Sequence, residues 1–185
     1  MKVIALMGFI GCGKETASKY LSEQYGYRQF SMGTDGTIGN LTRKLGLPAT
    51  RENLQNVSQE YREKYGMDYF AKLTLKEILD SKCEKALITE VRKSEDISIP
   101  RNHFGSNFIV LFIDSLPEIR FSRLLKRGLH RDPKSWEEFQ KHEKREYELY
   151  FSKSIGMEDA TISNNISLGE LQKNIDKILK EKSFS

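Results

Sequence analysis

Cysteine is nearly missing from this chain, with two residues in 185, Cys12 and Cys83. Two are too few for a framework of disulfide bridges, and they match no metal spacing such as Cys-x-x-Cys, so a reduced, cytoplasmic protein is expected. Proline is also scarce, at four residues, and no repeat, low-complexity tract or linker divides the sequence. A single domain over 1–185 is therefore expected. Long hydrophobic runs are absent. The longest, Phe108 to Ile113, falls far short of the roughly 20 residues of a membrane span. Nor does one charge sign dominate: 30 Lys and Arg against 26 Asp and Glu leave a net charge of +4. That surplus suits a local site for anionic small molecules and is too small for a nucleic-acid coat. His103, His130 and His142 show no metal spacing with each other or with the cysteines.

What is present is packing material, 38% hydrophobic and 10% aromatic residues, which excludes a disordered chain. The apolar stretch after Lys2 lacks a small-residue cleavage site and reads as a buried first strand rather than a secretory signal. Apolar runs of strand length alternate with segments of helical period, the pattern of an α/β protein with a parallel sheet. Strands are expected at Val3–Met7, Tyr27–Ser31, Ala86–Thr89, Phe108–Ile113 and Ala160–Ser163. Helices are expected over Lys14–Tyr25, closed by Gly26, and from a Thr50 cap to Gly66 with Leu54, Val57, Tyr61 and Tyr65 on one face. A further helix has Asp68 as its cap and Ala71, Leu75, Ile78 and Leu79 on its apolar side. Others run from Pro117 to Arg127, Trp136 to Tyr150 and Leu168 to Lys180.

Gly8-Phe9-Ile10-Gly11-Cys12-Gly13-Lys14-Glu15-Thr16 lies between the first strand and first helix, the context a phosphate-binding Gly-x-x-x-x-Gly-Lys loop requires. Its glycines let backbone N–H groups turn inward, the helix N-terminus adds positive potential, and Lys14 reaches the β- and γ-phosphates. Gly8, Gly11, Cys12, Gly13, Lys14, Glu15 and Thr16 are thus the candidate nucleotide-binding residues. Glu15 stands where a Ser or Thr usually serves Mg²⁺, and Thr16 follows it. The same displacement is found in adenylate kinases, whose loop resembles Gly-x-x-Gly-x-Gly-Lys-Gly-Thr.

Beyond the loop the chain resembles, nearly end to end, the archaeal adenylate-kinase-related and dephospho-coenzyme A kinase-like P-loop proteins. The landmarks are Ser31-Met32-Gly33 with Asp35, the segment Pro48 to Leu54, Val91-Arg92, Pro117 to Arg123, and Asp132 to Phe139. The resemblance implies a three-layer P-loop NTPase fold with five parallel strands, a helical acceptor-binding insertion over about 37–80 and a short lid over about 127–145. It also implies ATP with Mg²⁺ as cofactors and phosphoryl transfer to a small acceptor such as a nucleoside monophosphate or dephospho-coenzyme A. Asp35 inherits the role of base toward the acceptor hydroxyl, and Arg51 and Arg92 become acceptor-anion candidates. Two departures stand out. Relatives carry Asp-Gly-x-Arg where this chain has Thr89-Glu90-Val91-Arg92, so Glu90 is the carboxylate left near the metal, facing away if the strand's alternation continues. Relatives also place an arginine soon after the aspartate, and here none occurs before Arg43.

Three further groups complete the set. Asp114 ends the fourth strand, where it can approach the metal or cap the next helix. Arg120, Arg123 and Arg127 fall on one helical face leading to Arg131 in a loop, and bidentate guanidinium groups can clamp a moving phosphoryl group. Arg127 and Arg131 are the stronger pair. Trp136, Tyr147 and Tyr150 are expected to pack the lid helix. A nucleotide-dependent ATPase or switch, or a binding module without turnover, stays open as an alternative. The Asn-Lys-x-Asp of guanine-reading GTPases is absent.

Overall fold

The computed structural model describes residues 1–129 and 132–185, together with the backbone but not the side chain of Arg51. Five strands form one parallel sheet: β1 (Lys2–Met7), β2 (Arg28–Ser31), β3 (Lys85–Thr89), β4 (Phe108–Asp114) and β5 (Ala160–Ser163). Their order across the sheet is β2-β3-β1-β4-β5. Val3 aligns with Ala86 on one side and Phe108 on the other. The outer strands join through Ser31 beside Thr89 and Asp114 beside Ser163.

Strand alternation divides the core in two. Ile4, Leu6, Leu87 and Leu111 face Ala17 and Leu21 of α1 (Lys14–Tyr25) and Leu171, Ile175 and Leu179 of α8 (Leu168–Glu181). Val3, Ala5, Met7, Ile88 and Val110 face Ala71 and Ile78 of α4 (Tyr69–Ser81) and Ile97 of α5 (Ser94–Phe104). A sheet covered on both faces by helices is a three-layer α/β sandwich, and its central strands β1, β3 and β4 read as continuous apolar runs because neither of their faces meets water. The chain travels from β1 to the β2–β3 side, then crosses to β4 and β5, and this reversal opens a crevice at the carboxyl ends of the strands.

Within 37–80, α2 (Thr37–Lys44) and α3 (Arg51–Tyr65) precede α4. Thr50 caps α3 by accepting from the Asn53 N–H at 3.2 Å. Asp68 does not cap α4; its carboxylate instead pairs with Lys72 at 2.7 Å, one turn on. Tyr65 and Leu79, expected on apolar faces, are exposed, because each falls at the edge of its helix's buried stripe. On the other side, α6 (Pro117–Arg127) leads toward α7 (Trp136–Glu146), which ends in a π-helical turn over Tyr147–Phe151 rather than continuing as α-helix to Tyr150. Trp136 stacks on Phe139 and meets Phe121 edge-on, as expected for a residue packing this helix. No helix among the described residues is long and apolar enough to cross a membrane.

Candidate functional site

The loop between β1 and α1 wraps its own lysine. Lys14 Nζ donates to the Phe9 carbonyl at 2.9 Å and to that of Gly8, which holds the ammonium over the loop. Cys12 is buried, so it contributes backbone rather than thiol chemistry. Its carbonyl accepts from Asn164 Nδ2 at 2.8 Å, fastening the loop to the residue after β5. Gly13 has φ 99°, and a Cβ there would overlap that amide, so only glycine fits the cradle. Glu15 and Thr16 stand exposed on the first turn of α1. Asn164 gave no signal in the sequence: the loop and its fastener are 152 positions apart.

This loop forms one end of a cavity of about 860 Å³. Gly11, Gly13, Lys14, Glu15 and Thr16 line it at one end, and Asp35, Glu90 and Arg92 line it further along. Asp35 lies in the turn between β2 and α2 and is exposed to the cleft. Glu90 does not follow strand alternation away from it. β3 ends at Thr89, and Glu90 adopts φ 64°, a left-handed conformation, where relatives of the Asp-Gly-x-Arg pattern carry glycine. Its Oε2 accepts from Ser31 Oγ at 2.6 Å, and Gly33 leaves room for the carboxylate, since a Cβ at Gly33 would collide with it. A left-handed non-glycine residue stores strain of a kind concentrated at functional sites.

The deeper wall is built on a buried ion pair that sequence reasoning missed. Arg62 of α3 and Asp96 of α5 meet at 3.2 Å, with side chains only 5% and 4% exposed. Asp96 Oδ2 also accepts from the backbone N–H groups of Arg92 and Lys93, at 3.3 and 3.0 Å, so one carboxylate holds both α3 and the segment after β3. The available signal was the stripe Leu54, Gln55, Ser58 and Arg62, which all line the cavity at helical spacing. Arg92 pairs with Glu146 of α7 at 3.2 Å and lies over the Tyr150 ring. Tyr150 packs against the core as expected and also lines the cleft beside Arg92, from the π-helical turn that carries it.

The arginines of α6 divide. Arg120 is buried between the rings of Phe9 and Phe139 and pairs with Glu143, which makes it structural. Arg123 donates to the Asn164 carbonyl at 2.9 Å and Arg127 binds Asp132 through two hydrogen bonds of 2.9 and 2.7 Å; both line the cavity. The Asp132 bonds raise the pKa of Arg127 further. Asp114 is exposed, makes no cap to α6 and is not part of the cavity wall. Its side chain alternates away from the crevice, so the expectation that it meets the metal or caps α6 is not met. Arg131 and the Arg51 side chain lie outside the described residues.

No group of three or more His, Cys, Asp or Glu among the described residues is arranged to hold a metal by itself. The cleft offers the Thr16 hydroxyl and the Glu90 carboxylate. Such a sparse oxygen set suits a hard cation that keeps waters and shares substrate phosphates, as Mg²⁺ does.

The AAA domain family model matches residues 4–149. A UPF0200 protein of Pyrococcus abyssi is 34% identical over 184 residues, covering 97% of this chain and 96% of the relative. Another, from Pyrococcus horikoshii, is 32% identical over 182 residues, covering 97% and 96%. The chain thus belongs to the AAA domain family and to the UPF0200 proteins. Among solved structures, shikimate kinase from Acinetobacter baumannii in complex with shikimate superposes with a TM-score of 0.57 at 21% identity, over 98% of this chain and 95% of that one. A gluconokinase from Sinorhizobium meliloti gives a TM-score of 0.54 at 13% identity, over 99% and 96%. These establish a shared P-loop kinase-like fold.

Proposed function

We propose that this protein transfers the γ-phosphate of ATP, with Mg²⁺, to a small anionic acceptor of the nucleoside monophosphate or dephospho-coenzyme A type, within the adenylate-kinase-related branch of P-loop proteins. The observation that carries the reading is the cleft that joins the Lys14 loop to a second wall of carboxylates and cations contributed by the segments after β2 and β3 and by α3 and α5. A switch or simple ATPase needs the first wall but not the second. Two proteins sharing the fold, a shikimate kinase and a gluconokinase, are kinases of small molecules, which agrees with a cleft of this size.

In this reading the loop amides and Lys14 hold the β- and γ-phosphates, with Gly8, Gly11 and Gly13 giving the curvature. Thr16 and Glu90 would hold Mg²⁺, which when bound neutralises charge on the phosphate oxygens. For an acceptor that reacts through a hydroxyl, as dephospho-coenzyme A does, Asp35 accepts the proton as the hydroxyl oxygen bonds to the γ-phosphorus, while the bond from that phosphorus to the β–γ bridging oxygen breaks and ADP leaves; a nucleoside monophosphate would attack through its ionised phosphate oxygen, with the same bond breaking and no hydroxyl proton to take up. Arg127 and Arg131 stabilise the charge on the moving phosphoryl group, and Arg51 and Arg92 face the acceptor's anion. Arg92 must exchange Glu146 for that anion, which links acceptor arrival to the lid helix.

The test is incubation with ATP, Mg²⁺ and a panel of nucleoside monophosphates, deoxynucleoside monophosphates and dephospho-coenzyme A, following ADP and phosphorylated product together. Stoichiometric product supports the kinase reading. Free phosphate alone identifies an ATPase, and nucleotide binding without turnover identifies a binding module.

A further inference from the structure

The second wall of the cleft holds three cationic side chains close together, Arg62, Arg92 and Lys93. Two are satisfied within the protein. Arg62 is buried against Asp96 and also donates to the Met67 carbonyl, so it has little freedom to meet a ligand. Arg92 has Glu146. Lys93 is different: among the described residues its ammonium has no ion pair and no hydrogen bond, and it lies 5.5 Å from the centre of the Tyr150 ring. The carboxylates that feel its charge are Asp96, whose oxygens are taken by Arg62 and by two backbone N–H groups, and Glu95, which accepts from Ser94 Oγ at 3.0 Å.

The segment carrying this lysine is fixed rather than loose. Its own N–H is bound by Asp96, and the preceding carbonyl, that of Arg92, accepts from Ser154 Oγ at 2.7 Å. A half-buried ammonium on a fixed segment, with no ion pair or hydrogen bond of its own among the described residues, costs desolvation energy that an incoming anion would offset.

We propose that Lys93 is the primary anchor for the acceptor's anionic group, a phosphate or carboxylate, and so makes the enzyme selective for charged over uncharged acceptors. The inference rests on the kinase reading above and adds to it the residue that sets acceptor class. The direction of the Lys93 pKa agrees: burial lowers it first and the Arg62 charge second, and together with Lys153 they outweigh the partial compensation from Asp96 and Glu95.

Steady-state kinetics with dephospho-coenzyme A beside adenosine, which keeps the ribose hydroxyls but lacks the anionic groups, and with each nucleoside monophosphate beside its parent nucleoside, tests the selectivity. The unmodified protein is expected to phosphorylate the charged member of the pair. Lys93→Met should raise the acceptor KM about 10–100-fold, the weight of one charge-assisted hydrogen bond, while kcat and the KM for ATP stay within about twofold. Lys93→Arg should recover most of the loss. An acceptor KM unchanged in Lys93→Met, or equal use of nucleosides, overturns the proposal even when phosphorylated product forms. A second measurement does not require turnover. With the loop filled by a non-hydrolysable ATP analogue, the ε-methyl NMR signal of reductively methylated Lys93 should shift and saturate on addition of inorganic phosphate. No shift there rejects the anion site. Saturation without phosphorylated product from any acceptor would keep the site and reject the kinase reading instead.

Discussion

Ser31 and Glu90, at the carboxyl ends of neighbouring strands, share a 2.6 Å hydrogen bond in which the serine hydroxyl donates to the carboxylate. In register, Ser31 sits beside Thr89, so the bond reaches one residue past the end of the β2–β3 ladder. It forms because Glu90 turns left-handed as the strand stops, which carries its side chain back across the sheet edge. The acid that the sequence places one position too late is thereby brought to the cleft by backbone conformation.

Glu90→Gly separates the two roles of that residue. Glycine tolerates the left-handed conformation that costs another residue roughly 1–2 kcal/mol, so the melting temperature should hold or rise by a few degrees. Turnover should fall about 10²-fold, with the Mg²⁺ requirement moved to higher concentration. Thermal denaturation beside a Mg²⁺ titration of activity checks both. Full activity in the glycine variant would remove Glu90 from metal handling.

Lys14→Ala should abolish phosphoryl transfer. The lysine holds the Gly8 and Phe9 carbonyls at the surface of the loop rather than packing in the core, so its loss should cost about 1 kcal/mol, or a few degrees in melting temperature. Product formation and calorimetry on the same preparation decide the matter, and retained turnover would take the loop out of the mechanism.

Asp96→Asn strands Arg62 in a site where neither side chain is more than 5% exposed. Removing one partner of a buried pair costs about 3–5 kcal/mol, a large part of the roughly 5–15 kcal/mol that holds a domain together. Urea unfolding should show this as a lower midpoint with little change in slope. The double variant Arg62→Met with Asp96→Leu should lose less than Asp96→Asn alone, because no uncompensated charge remains buried; equal losses would contradict the pairing argument.

Tyr20 and Tyr25 both donate to Asp176 Oδ1 at 2.7 Å. For Tyr20 the hydrogen bond to Asp176 is the main cause of its raised pKa; for Tyr25 burial acts first and Asp176 second, taking it to about 12. Burial also raises Tyr27. The folded state therefore holds these phenol protons more tightly than the unfolded chain, whose tyrosines titrate near 10. The stability they add is fully present below pH ~10 and is lost as pH rises through their raised folded-state values, about 12 for Tyr25. Phenolate absorbance followed with circular dichroism should show late-titrating tyrosines coupled to alkaline unfolding. In Asp176→Asn, Tyr20 should titrate earlier, and an unchanged titration would rule out the carboxylate as the cause.

The central strands β1, β3 and β4 were legible because each carries an unbroken apolar run, whereas the edge strands β2 and β5 are short and mostly polar; the phosphate loop was legible because its glycines and lysine stand between strand and helix. α2 was not, since Asp35-Gly36-Thr37-Ile38-Gly39 reads as a turn. α5 was hidden by Pro100 in its interior; tertiary packing of the buried Ile97 and Pro100 overrides the local preference. Glu90's direction escaped the period-two rule because that rule ends with the strand. The Arg62–Asp96 pair spans 34 positions and Asn164 is further still from its partner, so such contacts belong to the assembled sheet and helices rather than to any local pattern.

The bond from Asn164 to the Cys12 carbonyl has a consequence for the order of events in biosynthesis. The phosphate loop leaves the ribosome 152 residues before its fastener, which arrives only once β5 has been made. At roughly 5–20 residues per second, synthesis leaves the loop without its anchor for about 8–30 s. A nascent chain thus acquires its nucleotide cradle late, as the last strand docks, and fragments ending before residue 164 carry the whole signature sequence without the clasp that shapes it.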